Sequence, residues 1–163
     1  MMRVDVDGSG IETFDDLVSA IVDAFGADAM GGIAREVVGR PYFGRGLHSF
    51  QDCLFGGCMG EPPYDFVIRS ADRMVASFGY SGVVAYCDRM LDPMARGNRG
   101  LDSVESIEQR RYFEEARAAA LREEGDTLLD WILAVFEGAP ARITIIGDSG
   151  DVLRVAGHYP AVG

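Results

Sequence analysis

The sequence predicts an α/β protein with a mainly parallel sheet that is covered by helices. Strand-like apolar segments alternate with helix-like segments along the chain, which is the order typical of such a sheet. At 163 residues the chain suits one compact domain with a single sizeable core, so we expect one domain over residues 1–163. No apolar run approaches the roughly 20 residues that a membrane-spanning helix needs.

The N-terminal part predicts one strand followed by one helix. Arg3–Val6 has the composition of a short strand, and the segment DGSG after it is typical of a turn. Thr13 is a suitable N-cap, and we expect the helix to stop at Gly26. The apolar residues between them recur at helical spacing: Leu17, Ala20, Ile21, Ala24 and Phe25.

The middle of the chain predicts a loop, a short helix and a second strand. Gly44 and Gly46 interrupt the loop, and apolar residues at helical spacing predict a helix from Leu47 to Phe55. The segment YDFVIR, residues 64–69, is typical of a strand. Residues 70–100 then alternate short helical segments with glycine turns.

The C-terminal part predicts two helices and two strands. Ser103–Glu124 is a charged helix that stops before Gly125, and Asp126 is the predicted cap of the next helix. The apolar stripe of that second helix consists of Leu129, Ile132, Leu133 and Phe136. The segment ARITIIGD is a strong strand, and DSGD is a turn that returns VLRVAGH as an antiparallel edge strand.

Net charge indicates the class of partner, and the N-terminal segment and cysteine content indicate the cellular compartment. The formal net charge is -11, which argues against a nucleic-acid partner and favours a basic protein. The N-terminal segment MMRVDVDGSG lacks the apolar core of a signal peptide, so we expect a cytoplasmic protein. Cys53, Cys58 and Cys87 show no disulfide-framework pattern, which fits a reducing compartment.

Metal binding and catalysis are weakly indicated. Four residues separate His48 from Cys53 and Cys53 from Cys58, whereas zinc sites usually pair their ligands more closely. His48 and Cys53 are five positions apart and so point to different faces of a helix, which leaves the thiol without a local base. The glycines match no phosphate-binding motif. We therefore expect no enzyme, no cofactor and no metal.

A protein-binding surface fits the predicted helix from Leu47 to Phe55 better. His48, Gln51 and Asp52 stand at positions i, i+3 and i+4, on one polar face opposite the apolar stripe. Aromatic residues precede the helix, and the neighbouring glycines allow a close approach to the backbone. An aromatic residue beside a carboxylate is a composition found at protein-binding hot spots.

The segment YFGRGLHSFQDCL, residues 42–54, resembles the signature of the barstar family of intracellular ribonuclease inhibitors. Three further segments resemble parts of the family in its own order: IETFDDLVSAIVDAFG, PPYDFVIRSADR and LLDWILAVFEGAPARITII. Together they cover about half of the chain. The signature positions that match are Tyr42, Gly44, Leu47, Asp52, Cys53 and Leu54.

The resemblance implies a three-stranded parallel sheet packed with helices, with insertions at about 27–40 and 76–125. It also implies that Asp52 is the main anchoring carboxylate of an inhibitory face and that Tyr42 lies at its rim. His48 and Gln51 replace an acid and a tryptophan of the family, and Arg45 replaces an acid. The expected partner-binding residues are Tyr42, Gly44, Arg45, Gly46, His48, Gln51, Asp52 and Glu61.

The function implied by the resemblance is an immunity protein that occludes the active site of a basic secreted nuclease or related toxin. Occlusion requires no catalysis and no cofactor. One alternative is a barstar-fold module that binds a protein other than a nuclease. The other alternative is a metal-binding protein or an enzyme that uses His48, Cys53 and His158.

Overall fold

The computed structural model describes residues 1–29, 46–56, 62–92 and 104–158. Four strands and six helices occur in these ranges. In chain order they are β1 (Met2–Asp7), α1 (Phe14–Ala29), α2 (Leu47–Leu54), β2 (Tyr64–Arg69), α3 (Asp72–Ser77), α4 (Tyr80–Leu91), α5 (Val104–Leu121), α6 (Leu128–Glu137), β3 (Ala141–Ile146) and β4 (Val152–Gly157).

The four strands form one mixed sheet in the order β1-β2-β3-β4. β1, β2 and β3 are parallel, and their register places Val4 beside Phe66 and Phe66 beside Ile143. β4 pairs with β3 in the antiparallel direction. The α/β class, the three parallel strands and the antiparallel C-terminal edge strand are therefore confirmed.

A tight turn sets the direction of β4. The amide of Gly147 donates to the carbonyl of Asp151 at 2.9 Å, and the amide of Gly150 donates to the carbonyl of Gly147 at 3.0 Å. So short a connection can join only antiparallel neighbours, because parallel strands need a long crossover. At the other end of β4, Glu137 Oε1 accepts a hydrogen bond from the amide of Gly157 at 3.1 Å.

The core lies between the sheet and the helices. Buried residues alternate along β1 and β3, so one face of these strands packs against helices, as the period of a strand requires. α1 contacts β1, and α6 contacts β3 and β4. The Phe136 ring of α6 lies 5.6 Å from the Phe66 ring and 5.8 Å from the Phe50 ring, centroid to centroid. α2 is thereby joined to the aromatic centre of the core.

Helix boundaries differ from those predicted in α1, α5 and α6. α1 continues past Gly26 to Ala29, because a single glycine costs a helix only about 1 kcal/mol and does not have to end it. α5 ends at Leu121, three residues before the predicted end. The cap of α6 is Thr127 rather than Asp126, since the Thr127 hydroxyl and the Asp130 carboxylate together form a capping box.

The two predicted insertions differ in how much of them the structure describes. Residues 27–29 belong to α1, and residues 30–40 lie outside the described ranges. The segment 76–125 contains α4 and α5, which pack together through the Tyr86 and Phe113 rings, 6.2 Å apart. Arg117 Nε and Asp88 Oδ1, 2.5 Å apart, join the same two helices.

Within the described ranges, every helix is too short or too polar to cross a lipid bilayer.

Candidate functional site

The N-terminus of α2 is capped by another helix. Gly46 is the N-cap residue and has no side chain to cap the helix, but the amide of Leu47 donates to the Tyr86 hydroxyl oxygen at 2.9 Å. A Cβ atom at position 46 would lie 3.2 Å from that oxygen and 3.4 Å from Met90 Cε. Gly46 is extended, with φ -148°, so a larger residue here would be crowded by its neighbours rather than strained in its backbone.

The inner face of α2 is fully buried. Phe50, Cys53 and Leu54 are each at most 2% exposed. The Phe50 ring lies 5.9 Å from the Phe14 ring of α1 in an edge-to-face arrangement. Packing against the core fixes α2 along its length, because these side chains have one densely packed environment.

The outer face of α2 carries His48 and Asp52, one helical turn apart. Both residues are exposed, as the predicted polar face requires, whereas Cys53 and Leu54 are buried on the other side. Gln51 is half-buried, and its Nε2 lies 3.0 Å from the position that a Cβ atom would occupy at Gly138. The Gln51 amide therefore packs against the C-terminal end of α6 and is partly withdrawn from the face that it was predicted to share.

Phe55 is an exposed aromatic residue that was predicted to be the last residue of the helix. It is 57% exposed. α2 ends at Leu54, Phe55 is its C-cap, and Gly56 adopts φ 117°, a conformation that side chains other than hydrogen disfavour. By helical spacing Phe55 follows Asp52 by three positions and so lies on its side of the helix. The glycines directly after Phe55 were the signal that the helix ends there.

The remaining predicted partner-binding residues are Tyr42, Gly44, Arg45 and Glu61. All four lie outside the described residues. The structure thus brings together His48, Asp52 and Phe55, places Gln51 at the edge of this group, and assigns Gly46 to the start of the helix.

No known protein family, curated protein or solved structure matches this chain. The resemblance to the barstar family therefore rests on the matching segments themselves. Within residues 42–54, the described part begins at Gly46 and consists mainly of α2.

The cysteines that the structure describes are inert in character. Cys53 and Cys87 are free and buried. Burial, with a smaller effect of the Asp88 carboxylate, raises the pKa of the Cys87 thiol from 9.0 to about 11. A thiol that keeps its proton is a poor nucleophile and a poor metal ligand.

The metal alternative finds little support in the described ranges. They contain no group of three His, Cys, Asp or Glu residues that could hold a metal ion. His48 is exposed and Cys53 is buried on the other side of α2, so the helix does not bring this pair together. Cys58 lies outside the described residues.

A small open cleft lies between the start of α1 and α4. It has a volume of about 110 Å³, and its walls include Glu12, Asp15, Arg89 and Leu128. Its charged groups are paired, Arg89 Nη1 with Asp15 Oδ1 at 2.5 Å and Glu12 with Arg73. A cleft whose charges neutralise one another offers no evident acid, base or nucleophile for catalysis.

Proposed function

We propose that this chain is a barstar-like inhibitor, an immunity protein that acts in the cytoplasm and occludes the active site of a basic ribonuclease or related toxin. The observation that carries the proposal is the two-sided character of α2. Phe50 and Leu54 fix the helix in the core, while Asp52 points to solvent from the opposite side. A carboxylate on a rigid helix is already oriented for a cationic partner, and such preorganisation lowers the cost of binding.

The composition of the outer face of α2 also supports a protein partner. Phe55 and Asp52 place an exposed aromatic ring beside an exposed carboxylate. Aromatic anchors that bury large areas, together with charges that become desolvated, dominate the binding energy of many interfaces. The net charge of -11 would steer the chain towards a basic protein and speed association at low salt.

The order of the elements supports the same proposal. The segments that resemble the barstar family form α1, α2, β2, α6 and β3, and both strands belong to the parallel part of the sheet. α4 and α5 lie within the segment predicted to be an insertion. The resemblance is therefore spread over the core elements rather than confined to one motif.

The test of the proposal is the variant Asp52→Ala. If Asp52 is desolvated against cationic groups of the partner, its removal leaves those charges buried and unpaired, at a cost of about 2–5 kcal/mol in binding. The free energy of unfolding should change by less than about 0.5 kcal/mol, because the carboxylate is exposed. A partner is first captured with the parent protein, then its dissociation constant is measured with each variant and its hydrolysis of RNA with and without the parent protein.

The matched control is Glu114→Ala, which removes an exposed acid from α5. It should leave the affinity unchanged. Equal affinities of Asp52→Ala and the parent protein would exclude the outer face of α2 as the binding site. A partner that depends on Asp52 but does not cleave RNA would favour the barstar-fold module with a different type of partner.

A further inference from the structure

The N-cap residue of α2, Gly46, makes no side-chain hydrogen bond to the helix. The first amides of a helix have no partner within it, and the preceding residue usually supplies a side-chain oxygen. Gly46 has no such oxygen, and the Tyr86 hydroxyl accepts the amide of Leu47 in its place. The acceptor residue, Tyr86, belongs to α4 and lies 39 residues after Leu47 in the chain.

The hydroxyl of Tyr86 occupies a fixed position. Tyr86 is 6% exposed, and its ring meets three others edge-on: Phe14 at 5.5 Å, Trp131 at 6.0 Å and Phe113 at 6.2 Å, centroid to centroid. These rings belong to α1, α6 and α5. Burial raises the pKa of Tyr86, so the hydroxyl stays neutral at physiological pH. Helices on several sides therefore hold the oxygen that meets α2.

We infer that Tyr86 is a positioning residue of the binding face, because its hydroxyl holds the first turn of α2 and thereby orients His48 and Asp52. The inference rests on the proposed function for the role of those two residues. It gives a role to the segment 76–125, which was predicted only as an insertion. α4 then helps to orient the binding face.

Position 46 supports the inference independently of the hydrogen bond. A Cβ atom there would lie 3.2 Å from the Tyr86 oxygen, closer than most side chains approach their neighbours. The chain and Tyr86 are thus in direct contact at the point where α2 begins. Any shift of Tyr86 must move the start of α2 or break its hydrogen bond.

The experiment compares Tyr86→Phe with the parent protein by NMR. Removal of the hydroxyl leaves the Leu47 amide without its acceptor, so its hydrogen exchange should speed up about fivefold, the worth of one hydrogen bond. The backbone order parameters of Leu47 and His48 should also fall from the rigid value of about 0.85 towards 0.6. Order parameters report local motion in the native state and do not change with global stability alone.

The matched control is Tyr80→Phe. The Tyr80 hydroxyl also belongs to α4, but it donates to the carbonyl of Gly125 at 3.1 Å rather than meeting the amide of Leu47. This variant should leave Leu47 and His48 unchanged. A second variant, Gly46→Ala, crowds the same contact from the side of α2 and should loosen the first turn even if Tyr86→Phe folds poorly.

Affinity completes the test. For the partner that depends on Asp52, Tyr86→Phe should weaken binding about fivefold and Tyr80→Phe should not. Unchanged order at Leu47, equal loosening by both tyrosine variants, or loosening without any loss of affinity would each overturn the inference. If Asp52→Ala binds as well as the parent protein, the proposed function fails, whereas the effect of Tyr86 on Leu47 is still measured on the isolated protein.

Discussion

α2 and α6 pack against each other but begin in different ways. At α6, the Thr127 hydroxyl accepts from the amide of Asp130 at 3.2 Å, and the Asp130 carboxylate accepts from the amide of Thr127 at 2.9 Å. At α2, Gly46 supplies nothing and the acceptor comes from Tyr86. The start of α6 is thus capped within four consecutive residues, whereas the described start of α2 takes its acceptor from a residue far along the chain.

The largest expected effect concerns the packing of α2 against the core. Phe50→Ala should lower the free energy of unfolding by about 3–5 kcal/mol, because the Phe50 ring is fully buried against Phe14 and Phe136. Phe55→Ala is the matched control on the same helix and should change it by less than about 0.5 kcal/mol, since Phe55 is exposed. Urea denaturation measures both. A similar loss of unfolding free energy for the two variants would contradict a buried inner face and an exposed outer face of α2.

The next largest effect is a loss of stability at alkaline pH that arises on α4, the helix that caps α2. Burial raises the pKa of Cys87 to about 11 and also raises that of Tyr86. The unfolded chain loses the Cys87 proton near pH 9 and the folded chain keeps it, so this contribution is intact below pH 9 and is lost as the pH rises to about 11. The free energy of unfolding should fall by about 1–2 kcal/mol over that interval.

The control for the alkaline effect is Cys87→Ala. Its free energy of unfolding is measured by urea denaturation at pH 8, 9, 10 and 11, which brackets the interval of about two pH units between the unfolded and folded pKa values. The variant should show a shallower decline than the parent protein, and the part that persists reports Tyr86. A parent protein equally stable at both ends of the interval would contradict the burial of these two groups.

A smaller effect is expected at the cap of α6. Thr127→Ala removes the hydroxyl that accepts from the Asp130 amide and should lower the free energy of unfolding by about 1 kcal/mol. Thr127→Ser keeps an acceptor at the same place and should behave as the parent protein does. Calorimetric melting of both variants measures the difference. Indistinguishable melting of Thr127→Ala and Thr127→Ser would show that α6, too, is ordered by its surroundings and would remove the contrast with α2.

Local patterns predicted the fold well because its strands and its last helix carry their signals within a few residues. The alternating apolar residues of β3 and the turn before β4 are examples. The cap of α6 was placed one residue early because Asp126 and Thr127 are both good caps, and only the contact with Asp130 selects between them.

The site was predictable to the extent that it follows from helical spacing. His48 and Asp52 fall on the exposed side of α2 because four residues make about one turn. Phe55 was misassigned because the periodic pattern was extended past the end of the helix. Tyr86 was not predictable at all, since nothing in the residues around Leu47 indicates which distant side chain will accept its amide proton.

The cap that Tyr86 provides has a consequence for how proteins of this architecture diverge. The start of α2 joins two distant positions, because Gly46 supplies no acceptor and leaves little room beside the Tyr86 hydroxyl. A change at either position alters the same contact, so the two positions constrain each other. In sequences that diverge from this one, we expect Gly46 and Tyr86 to be kept together or lost together.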